Sequence, residues 1–192
     1  RTDLPLVPVR ELLAGLVGLR EGDEPLEARR KIAGALLLAD PQLQSDLPGI
    51  FGFFGVADPD RPAPTAEPGS LEQQLVRIAE LLLRASVERG PMIVLIEDVH
   101  WCDAPSEAVL VRLRSRVPER ALLWLENARP GASDALLRGA QLLALAPLGP
   151  EAVEALLDDL LGSDATLAAI KRAIRARAAG NPFFVEELVL AA

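Results

Sequence analysis

The strongest constraint on the fold is an apolar run that ends in two acids, within residues 91–103 (PMIVLIEDVHWCD). Five apolar residues, Met92–Ile96, are followed directly by Glu97 and Asp98. A short run of this kind is typical of a strand that is buried on both faces of a sheet. The acids then lie at the carboxyl end of the strand, where open α/β sheets place their ligand sites. Two carboxylates there are suited to holding a hydrated Mg²⁺ and orienting a water for attack on a phosphate.

This run has the form of a Walker B strand, but the phosphate-binding loop that normally accompanies such a strand does not occur in the sequence. No Gly-x-x-x-x-Gly-Lys-Ser/Thr motif is found, and both lysines, Lys31 and Lys171, lie outside any glycine-rich loop. The chain begins with Arg1 rather than methionine. We therefore expect it to be a segment of a longer polypeptide in which the loop lies upstream.

Composition argues against several classes of protein. Half of the 192 residues are apolar and 25% are charged, so a sizeable core is available and wholesale disorder is not expected. The net charge of −8 argues against direct nucleic-acid contact, which usually needs a basic face. Cys102 is the only cysteine, so no disulfide forms within the chain, which fits a cytoplasmic location. No apolar run approaches the length of a membrane span.

Hydrophobic periodicity and turn signals predict an α/β fold in which helices flank a short parallel sheet. Strands are expected at 92–96, 121–126 and 142–146, with helices at 104–116 and 132–138 between them. This alternation is that of a parallel sheet with right-handed crossovers. The sequence further predicts a short helix or turn at 43–56, a proline-rich loop at 57–69, and helices at 8–19, 25–39, 70–88, 150–161, 164–179 and 183–191.

Three segments together resemble the ATPase domain of STAND-type regulators, which are AAA-related P-loop proteins found in LuxR-type transcription regulators and beside adenylate/guanylate cyclase domains. Residues 94–106 (VLIEDVHWCDAPS) resemble the extended Walker B segment of that family. Residues 122–131 (LLWLENARPG) resemble its sensor-1 strand, and residues 179–188 (AGNPFFVEEL) resemble the Gly-x-Pro start of a lid helix. The resemblance implies a partial P-loop NTPase core at 1–148, with about three strands and no Walker A loop. The start of an all-helical lid follows at 149–192.

The resemblance also implies catalytic roles for the polar residues that follow the strands. Glu97 is expected to support Mg²⁺, partly through water, and Asp98 to polarise the attacking water, although these two roles can be exchanged. Asn127 is expected to contact the terminal phosphate or the water, and Arg129 to offset the charge that develops during phosphoryl transfer. The structural alternative for Arg129 is an ion pair with Glu126 or Asp98.

Four further residues are predicted to contact the bound nucleotide, and each has a structural alternative. Gly180, Asn181 and Pro182 match the turn whose proline packs against adenine in the family, but they also suit an ordinary helix entry with Asn181 as N-cap. Asp103 precedes Ala-Pro and is an equally good helix N-cap.

Other residues are expected to have structural rather than chemical roles. His100 is predicted to form a packing or hydrogen-bonding contact rather than to act as a base. Trp101 is predicted to pack at the corner between the strand and the following helix, and Phe183, Phe184 and Val185 are predicted to anchor the last helix. Lys171 is assigned to the exposed face of an amphipathic helix.

These features predict that the intact parent binds ATP and Mg²⁺ and acts as a regulatory switch in a bacterial signalling protein. The output is expected to be transcription or cyclic-nucleotide signalling. This segment alone should be a poor ATPase, because nothing in it cradles the phosphates. Its expected partners are ATP, the upstream P-loop segment and other copies that pair with open strand edges. The alternatives are a non-catalytic protein-interaction module derived from the same fold and a helical binding domain without a sheet.

Overall fold

The structure of this chain, a computed structural model, describes residues 5–63, 70–117 and 121–191. It is a mixed α/β protein, mostly helical, and it divides into two units, Arg1–Ala140 and Gln141–Ala192. Within the described ranges, no helix is both long enough and apolar enough to cross a membrane. Residues 64–69 of the predicted proline-rich loop lie outside the described residues.

Four helices form the first half of unit 1, namely α1 (Val7–Val17), α2 (Pro25–Ala39), α3 (Leu47–Phe53) and α4 (Ser70–Arg89). The span of α2 is the predicted one, whereas α1 ends earlier than predicted because Gly18 adopts a left-handed conformation with φ of 73°. Glycine is the usual residue at this position after a helix. The buried faces of these helices join one hydrophobic core.

A two-stranded parallel sheet completes the first unit. Strand β1 (Met92–Ile96) pairs with β2 (Leu122–Glu126), and helix α5 (Ala104–Arg116) connects them. Parallel strands need a crossover of this kind because the end of the first strand and the start of the second lie at opposite ends of the sheet. The short helix α6 (Asp134–Leu137) follows β2. The presence of the sheet excludes the purely helical alternative.

The described residues cover only one face of this sheet. The alternate residues Val94 and Ile96 are buried in the core. On the opposite face the exposed fractions run from 49% to 65% for the four large apolar residues Ile93, Leu95, Leu123 and Leu125. Parallel sheets are usually covered on both faces. An apolar face of this kind is typical of an interaction surface.

The prediction of a third strand at 142–146 is wrong. Residues 141–149 have no regular secondary structure, and Leu142, Leu143 and Leu145 are 74%, 81% and 89% exposed. Alanine is depleted in strands, and a strand also needs a neighbour that satisfies its backbone N–H and C=O groups. Within the described part of the chain β2 pairs only with β1, so the sheet has two strands instead of about three.

Unit 2 consists of helices α7 (Pro150–Leu161), α8 (Ala168–Ala178) and α9 (Pro182–Leu190). The span of α7 matches the prediction, and the other two differ from it by a few residues at their ends. Their small core contains five buried residues: Val153, Leu157, Ile174, Ala178 and Val185. The predicted helical segment is therefore present, with a core of its own.

Two predictions about the faces of these helices are wrong. Of the three predicted anchors of α9, Val185 enters the core, whereas Phe183 is 59% exposed and Phe184 is 50% exposed. Lys171 is buried, because it shares the inner stripe of α8 with Ile174 and Ala178 at helical spacing, and its ammonium group pairs with Asp158. A buried ammonium group needs such a partner to offset its lost hydration.

Gly180 joins α8 to α9 at a close approach of two backbone segments. Its φ is 81°, and its carbonyl oxygen accepts a hydrogen bond from the N–H of Leu148 at 2.8 Å. A Cβ atom at this position would lie 2.7 Å from the carbonyl oxygen of Leu148 and 2.9 Å from the Cβ of Pro147. Glycine is therefore required here for both conformation and space.

We expect Gly180→Ala to lower the free energy of unfolding of unit 2 by about 3 kcal/mol, through left-handed strain plus the clash with Leu148. Urea unfolding of the full chain, followed by NMR at Val185, measures this loss. Gly18→Ala is the matched control, because Gly18 has a similar φ and open space around it. The control should lose only about 1 kcal/mol, in unit 1. Equal losses in the two variants would contradict the close approach at Gly180.

Candidate functional site

The carboxyl ends of the two strands lie side by side, and the polar residues that follow them meet at one edge of the sheet. Ile96 and Glu126 are register partners in the parallel pairing. The loops that begin with Glu97 and Asn127 are therefore neighbours. The sequence separates these two groups by about 30 residues, and the pairing of β1 with β2 brings them together.

Asn127 holds the end of β1 through three hydrogen bonds. Its N–H donates to the carbonyl oxygen of Ile96 at 3.2 Å, and its own carbonyl oxygen accepts from the N–H of Val99 at 3.0 Å. Its side-chain Oδ1 accepts from the N–H of Asp98 at 2.7 Å. Asp98 has a left-handed conformation with φ of 52°, which is unfavourable for most residues and tolerated best by Asn and Asp outside glycine. Asn127 thus stabilises the turn that presents the Asp98 carboxylate.

A second connection between the two loops runs through His100, Trp101 and Arg129. The N–H of Arg129 donates to His100 Nδ1 at 3.3 Å, so His100 has the hydrogen-bonding role that was predicted. The Arg129 guanidinium lies 5.4 Å from the centre of the Trp101 ring, within the range of a cation–π contact. Trp101 is 69% exposed, so the prediction that it packs at the corner between strand and helix is wrong. The loop turns its ring outward, where it supports Arg129.

The carboxylates of Glu97 and Asp98 are accessible from solvent. Glu97 is exposed and forms no ion pair with any residue that the structure describes. Asp98 Oδ1 lies 3.8 Å from His100 Nδ1, and half of its side chain is exposed. Both residues follow β1 rather than extending it. Neither carboxylate is committed to a structural contact that would prevent it from meeting a ligand.

Arg129 does not form the ion pair that was considered as its structural alternative. Glu126 instead accepts from the Arg114 guanidinium at 3.3 Å and from Trp124 Nε1 at 2.5 Å. Within the described residues Arg129 has neither Glu126 nor Asp98 as an ion-pair partner. The Arg129 guanidinium therefore lies near the loop that begins with Glu97 and Asp98 (the acidic loop). No ion pair with a described residue occupies its N–H donors.

The two carboxylates, of Glu97 and Asp98, are suited to a metal ion that is bound together with a phosphate ligand. In the described ranges there is no cluster of three or more His, Cys, Asp or Glu residues that could hold a metal ion by itself. Mg²⁺ usually keeps several waters and is held in proteins by one or two carboxylates together with substrate phosphates. Glu97 and Asp98 fit this second arrangement.

Asp103 acts as a structural connector. Its Oδ1 accepts from the N–H of Ser106 at 2.6 Å and caps α5, and its Oδ2 accepts from the N–H of Leu6 at 2.9 Å. Burial by itself raises the pKa of Asp103, but these two backbone donors outweigh burial and hold its pKa below the usual range. The capping interpretation therefore accounts for Oδ1, and the bond from Leu6 to Oδ2 ties the start of α1 to the start of α5.

The turn at Gly180, Asn181 and Pro182 belongs to unit 2, where it forms a capped helix entry. Asn181 Oδ1 accepts from the N–H of Phe183 at 3.0 Å, and Pro182 begins α9. Both features are those of the structural alternative described above. The contact of this turn with adenine stays a prediction from the resemblance.

The structural role of Arg114 was not predicted from the sequence. Its guanidinium donates to three backbone carbonyl oxygens, those of Ala135, Leu136 and Arg138, as well as to Glu126. These bonds fix the segment that follows β2 against α5. No local pattern reveals this role, since the carbonyl groups involved lie 21 to 24 residues away along the chain.

Cys102 lies beside the acidic loop without being activated. Burial raises the pKa of its thiol, and the negative charges of Asp103, Glu126 and Glu107 raise it further. A raised pKa keeps the thiol protonated and weakly nucleophilic. Cys102 is therefore not a candidate nucleophile.

Comparison with known proteins gives one weak relationship. A stretch of 153 residues is 29% identical with an uncharacterized protein of Rhizobium meliloti (strain 1021) and covers 72% of this chain. The match spans 14% of that protein, so this chain corresponds to a small part of it. No family model matches the chain, and no solved structure matches it.

We expect Asn127→Ala to release the turn at Asp98. The Asp98 N–H loses its acceptor, which costs about 1 kcal/mol, and its hydrogen exchange should accelerate about fivefold to tenfold. Asn127→Asp is the matched control because it keeps an acceptor oxygen at the same position. NMR-detected exchange at Asp98 compares the two variants. Unchanged exchange in Asn127→Ala would show that the side chain does not hold the turn.

We expect Asp103→Ala to lower the free energy of unfolding by about 1–2 kcal/mol at pH 7. Because the folded-state pKa is lowered, this contribution is present above the unfolded pKa of about 3.9 and is lost as pH falls through the folded pKa. The difference between variant and parent should therefore shrink below about pH 4. Urea titrations at pH 7, 4 and 3 measure it. Asp159→Ala, which removes an exposed acid, is the control, and a difference independent of pH would contradict the assignment.

Proposed function

We propose that this chain is the Walker B and sensor-1 part of an ATP-binding switch domain in a bacterial signalling protein. The observation that carries the proposal is the hydrogen bond from the Asp98 N–H to Asn127 Oδ1, which joins the two polar strand ends at one edge of the sheet. The carboxyl edge of a parallel sheet is where α/β proteins bind their ligands. A cytoplasmic location, with transcription or cyclic-nucleotide signalling as output, belongs to the same proposal.

The residues of the site have two kinds of role. Some supply charged groups that contact the metal and the phosphates, and others hold those groups in place. Glu97 and Asp98 supply the carboxylates for a hydrated Mg²⁺ and for the attacking water, with the two roles interchangeable. Arg129, supported by the Trp101 ring, supplies a cation on the neighbouring loop. A bound Mg²⁺-ATP would supply the phosphoryl group and a metal that neutralises its charge. Asn127 keeps the Asp98 turn in place and has an amide donor left for a ligand.

The part that cradles the β- and γ-phosphates is not encoded in this sequence. Positioning and charge stabilisation account for most of the catalysis in phosphoryl transfer, and the phosphate-binding loop supplies much of both. The proposal is therefore that an upstream segment of the same polypeptide completes the site. By itself this chain is expected to bind Mg²⁺-ATP weakly and to hydrolyse it poorly.

The second candidate function is a non-catalytic interaction module derived from an NTPase fold. The bare apolar sheet face of Ile93, Leu95, Leu123 and Leu125 favours it, since large exposed apolar patches often mark sites of association. The accessible carboxylates of Glu97 and Asp98 favour the ATPase instead, as does Arg129, which has no ion-pair partner among the described residues. These three charged residues lie at the carboxyl ends of the strands, and packing of the described core does not require charged residues there.

Calorimetry with Mg²⁺-ATP tests the proposal on this chain and on a chain extended upstream to include a glycine–lysine loop. Only the extended chain should bind tightly, because the loop supplies the phosphate contacts. In that chain Asp98→Asn should reduce hydrolysis at least 100-fold and change binding less than threefold, as expected for a group that acts mainly in the transition state.

Asp60→Asn in the extended chain is the control for removing an exposed negative charge away from the site. It should leave both hydrolysis and binding unchanged. If neither chain binds Mg²⁺-ATP, the ATPase proposal fails and the interaction module becomes the working function. If Asp98→Asn retains full hydrolysis, the assignment of the catalytic acids fails while nucleotide binding can still stand.

A further inference from the structure

Arg129 begins a tight turn that fixes its backbone. The Ala132 N–H donates to the Arg129 carbonyl oxygen at 3.3 Å. Pro130 is the second residue of this turn, and Gly131, with φ of 96°, is the third, which is the residue pattern of a type II turn. Proline also restricts the residue before it to extended conformations. The position of the Arg129 guanidinium therefore depends on which groups hold its side chain.

Two neighbouring groups compete for that guanidinium. His100 Nδ1 accepts from the Arg129 N–H at 3.3 Å and lies 3.8 Å from Asp98 Oδ1. The Asp98 carboxylate and the Arg129 backbone thus flank the same ring atom, and the long side chain of an arginine can span such a separation. Asp98 and Arg129 nevertheless form no ion pair, and the guanidinium lies 5.4 Å from the centre of the Trp101 ring instead.

Trp101 is held in place for this contact by the residue before it. The centres of the His100 and Trp101 rings are 4.8 Å apart, with an angle of 47° between their planes. Only 12% of the His100 side chain is exposed, so the ring against which Trp101 packs is itself fixed. Both residues belong to the short 3₁₀ helix Val99–Trp101, which follows Asp98 directly. This one segment therefore holds Arg129 twice, by its backbone at His100 and by its guanidinium at Trp101.

The aromatic ring and the carboxylate are competitors of similar strength. Asp98 is half exposed and Arg129 is exposed, so an ion pair between them would be weakened by water and by salt. A cation–π contact at an exposed site has comparable strength, and tryptophan is the best of the aromatic rings for it. The Trp101 ring can therefore hold the guanidinium against the attraction of the nearby carboxylate.

We propose that Trp101 is a positioning residue that keeps the Arg129 guanidinium away from the Asp98 carboxylate, so that the acid and the cation stay separate until a phosphate ligand binds. An ion pair between them would neutralise both groups and occupy the oxygens that a hydrated Mg²⁺ or an attacking water needs. In this role Trp101 contacts neither metal nor phosphate. The structural part of the inference stands on contacts within the chain, and its consequence for catalysis rests on the proposed function.

NMR of the 192-residue chain tests the structural part without any nucleotide. In the parent, the ring current of Trp101 should shift the side-chain proton resonances of Arg129 upfield. In Trp101→Ala this shift should disappear, and the guanidinium should turn to Asp98. Hydrogen exchange at the Arg129 Nε–H should then slow about twofold to fivefold, which is the effect expected from an exposed ion pair.

Three further variants separate this effect from a general loosening of the loop. Adding Asp98→Asn to Trp101→Ala should remove the slowing, because the competing charge is gone. Trp101→Phe keeps a ring and should keep most of the upfield shift, whereas Trp101→Leu keeps only apolar bulk and should behave as Trp101→Ala does. Because Trp101 is 69% exposed, none of these changes removes core packing.

Leu38→Ala is the matched control, because it removes an exposed apolar side chain from α2 and should change nothing at Arg129. Faster exchange at the Arg129 Nε–H in Trp101→Ala would overturn the proposal, since it would indicate loosening rather than a new ion pair. Slowing that persists after Asp98→Asn is added would also overturn it. Unchanged Arg129 resonances in Trp101→Ala would show that the ring does not hold the guanidinium.

Kinetics of the chain extended upstream test the consequence for hydrolysis. Trp101→Ala should lower kcat about tenfold and change KM less than about twofold, because a displaced cation and a neutralised acid weaken mainly the transition state. Trp101→Phe should recover most of the rate. An unchanged kcat in Trp101→Ala, measured in a chain that hydrolyses ATP, would overturn the catalytic role of the separation.

The two experiments distinguish failure of this inference from failure of the proposed function. If the extended chain neither binds nor hydrolyses Mg²⁺-ATP, the proposed function fails and the catalytic role of Trp101 fails with it. The NMR comparison then still decides whether Trp101 keeps the two charged groups apart. If the extended chain hydrolyses ATP but Arg129 does not turn to Asp98 in Trp101→Ala, the proposed function stands and this inference is overturned.

Discussion

The parallel pairing of β1 with β2 is the constraint on which the arrangement of the first unit depends. Parallel strands require a crossover, and α5 supplies it, while Val94 and Ile96 on one face of the sheet join the same core as α5. The same pairing brings the ends of both strands to one edge. The three hydrogen bonds of Asn127 then join the loops that follow. Without this register, Asp98 and Arg129 would belong to unrelated parts of the surface.

The capping bond of Asp103 extends this organisation to the beginning of the described chain. One carboxylate oxygen caps α5 directly after the acidic loop, and the other accepts from the Leu6 N–H at the start of α1. Helix α1 and strand β1 line a groove that ends at Glu97, next to Asp98. A single side chain thus connects α1, α5 and the loop that carries the two acids.

Much of the helical structure could be predicted from the sequence because its signals are local. Pro25, the Ala-Pro that follows Asp103, and Pro150 mark helix starts, and the apolar residues between them recur at helical spacing. Strands β1 and β2 were also predictable, since their apolar runs are flanked by turn residues. The run at 142–146 looks the same by composition, yet it forms no strand. The prediction failed there because pairing depends on a neighbouring edge, which the sequence of one segment does not reveal.

The sequence by itself identified the candidate residues: two acids after an apolar run, an asparagine and an arginine after another, and a candidate N-cap at Asp103. Only the tertiary structure decided how these residues are used. It joined Asn127 to Asp98, turned Trp101 outward beside Arg129 and buried Lys171 beside Asp158. Among the described residues it also paired β1 with β2 alone. The physical reason is that local patterns fix backbone conformation and periodicity, whereas hydrogen-bond partners and burial depend on segments that are distant along the chain.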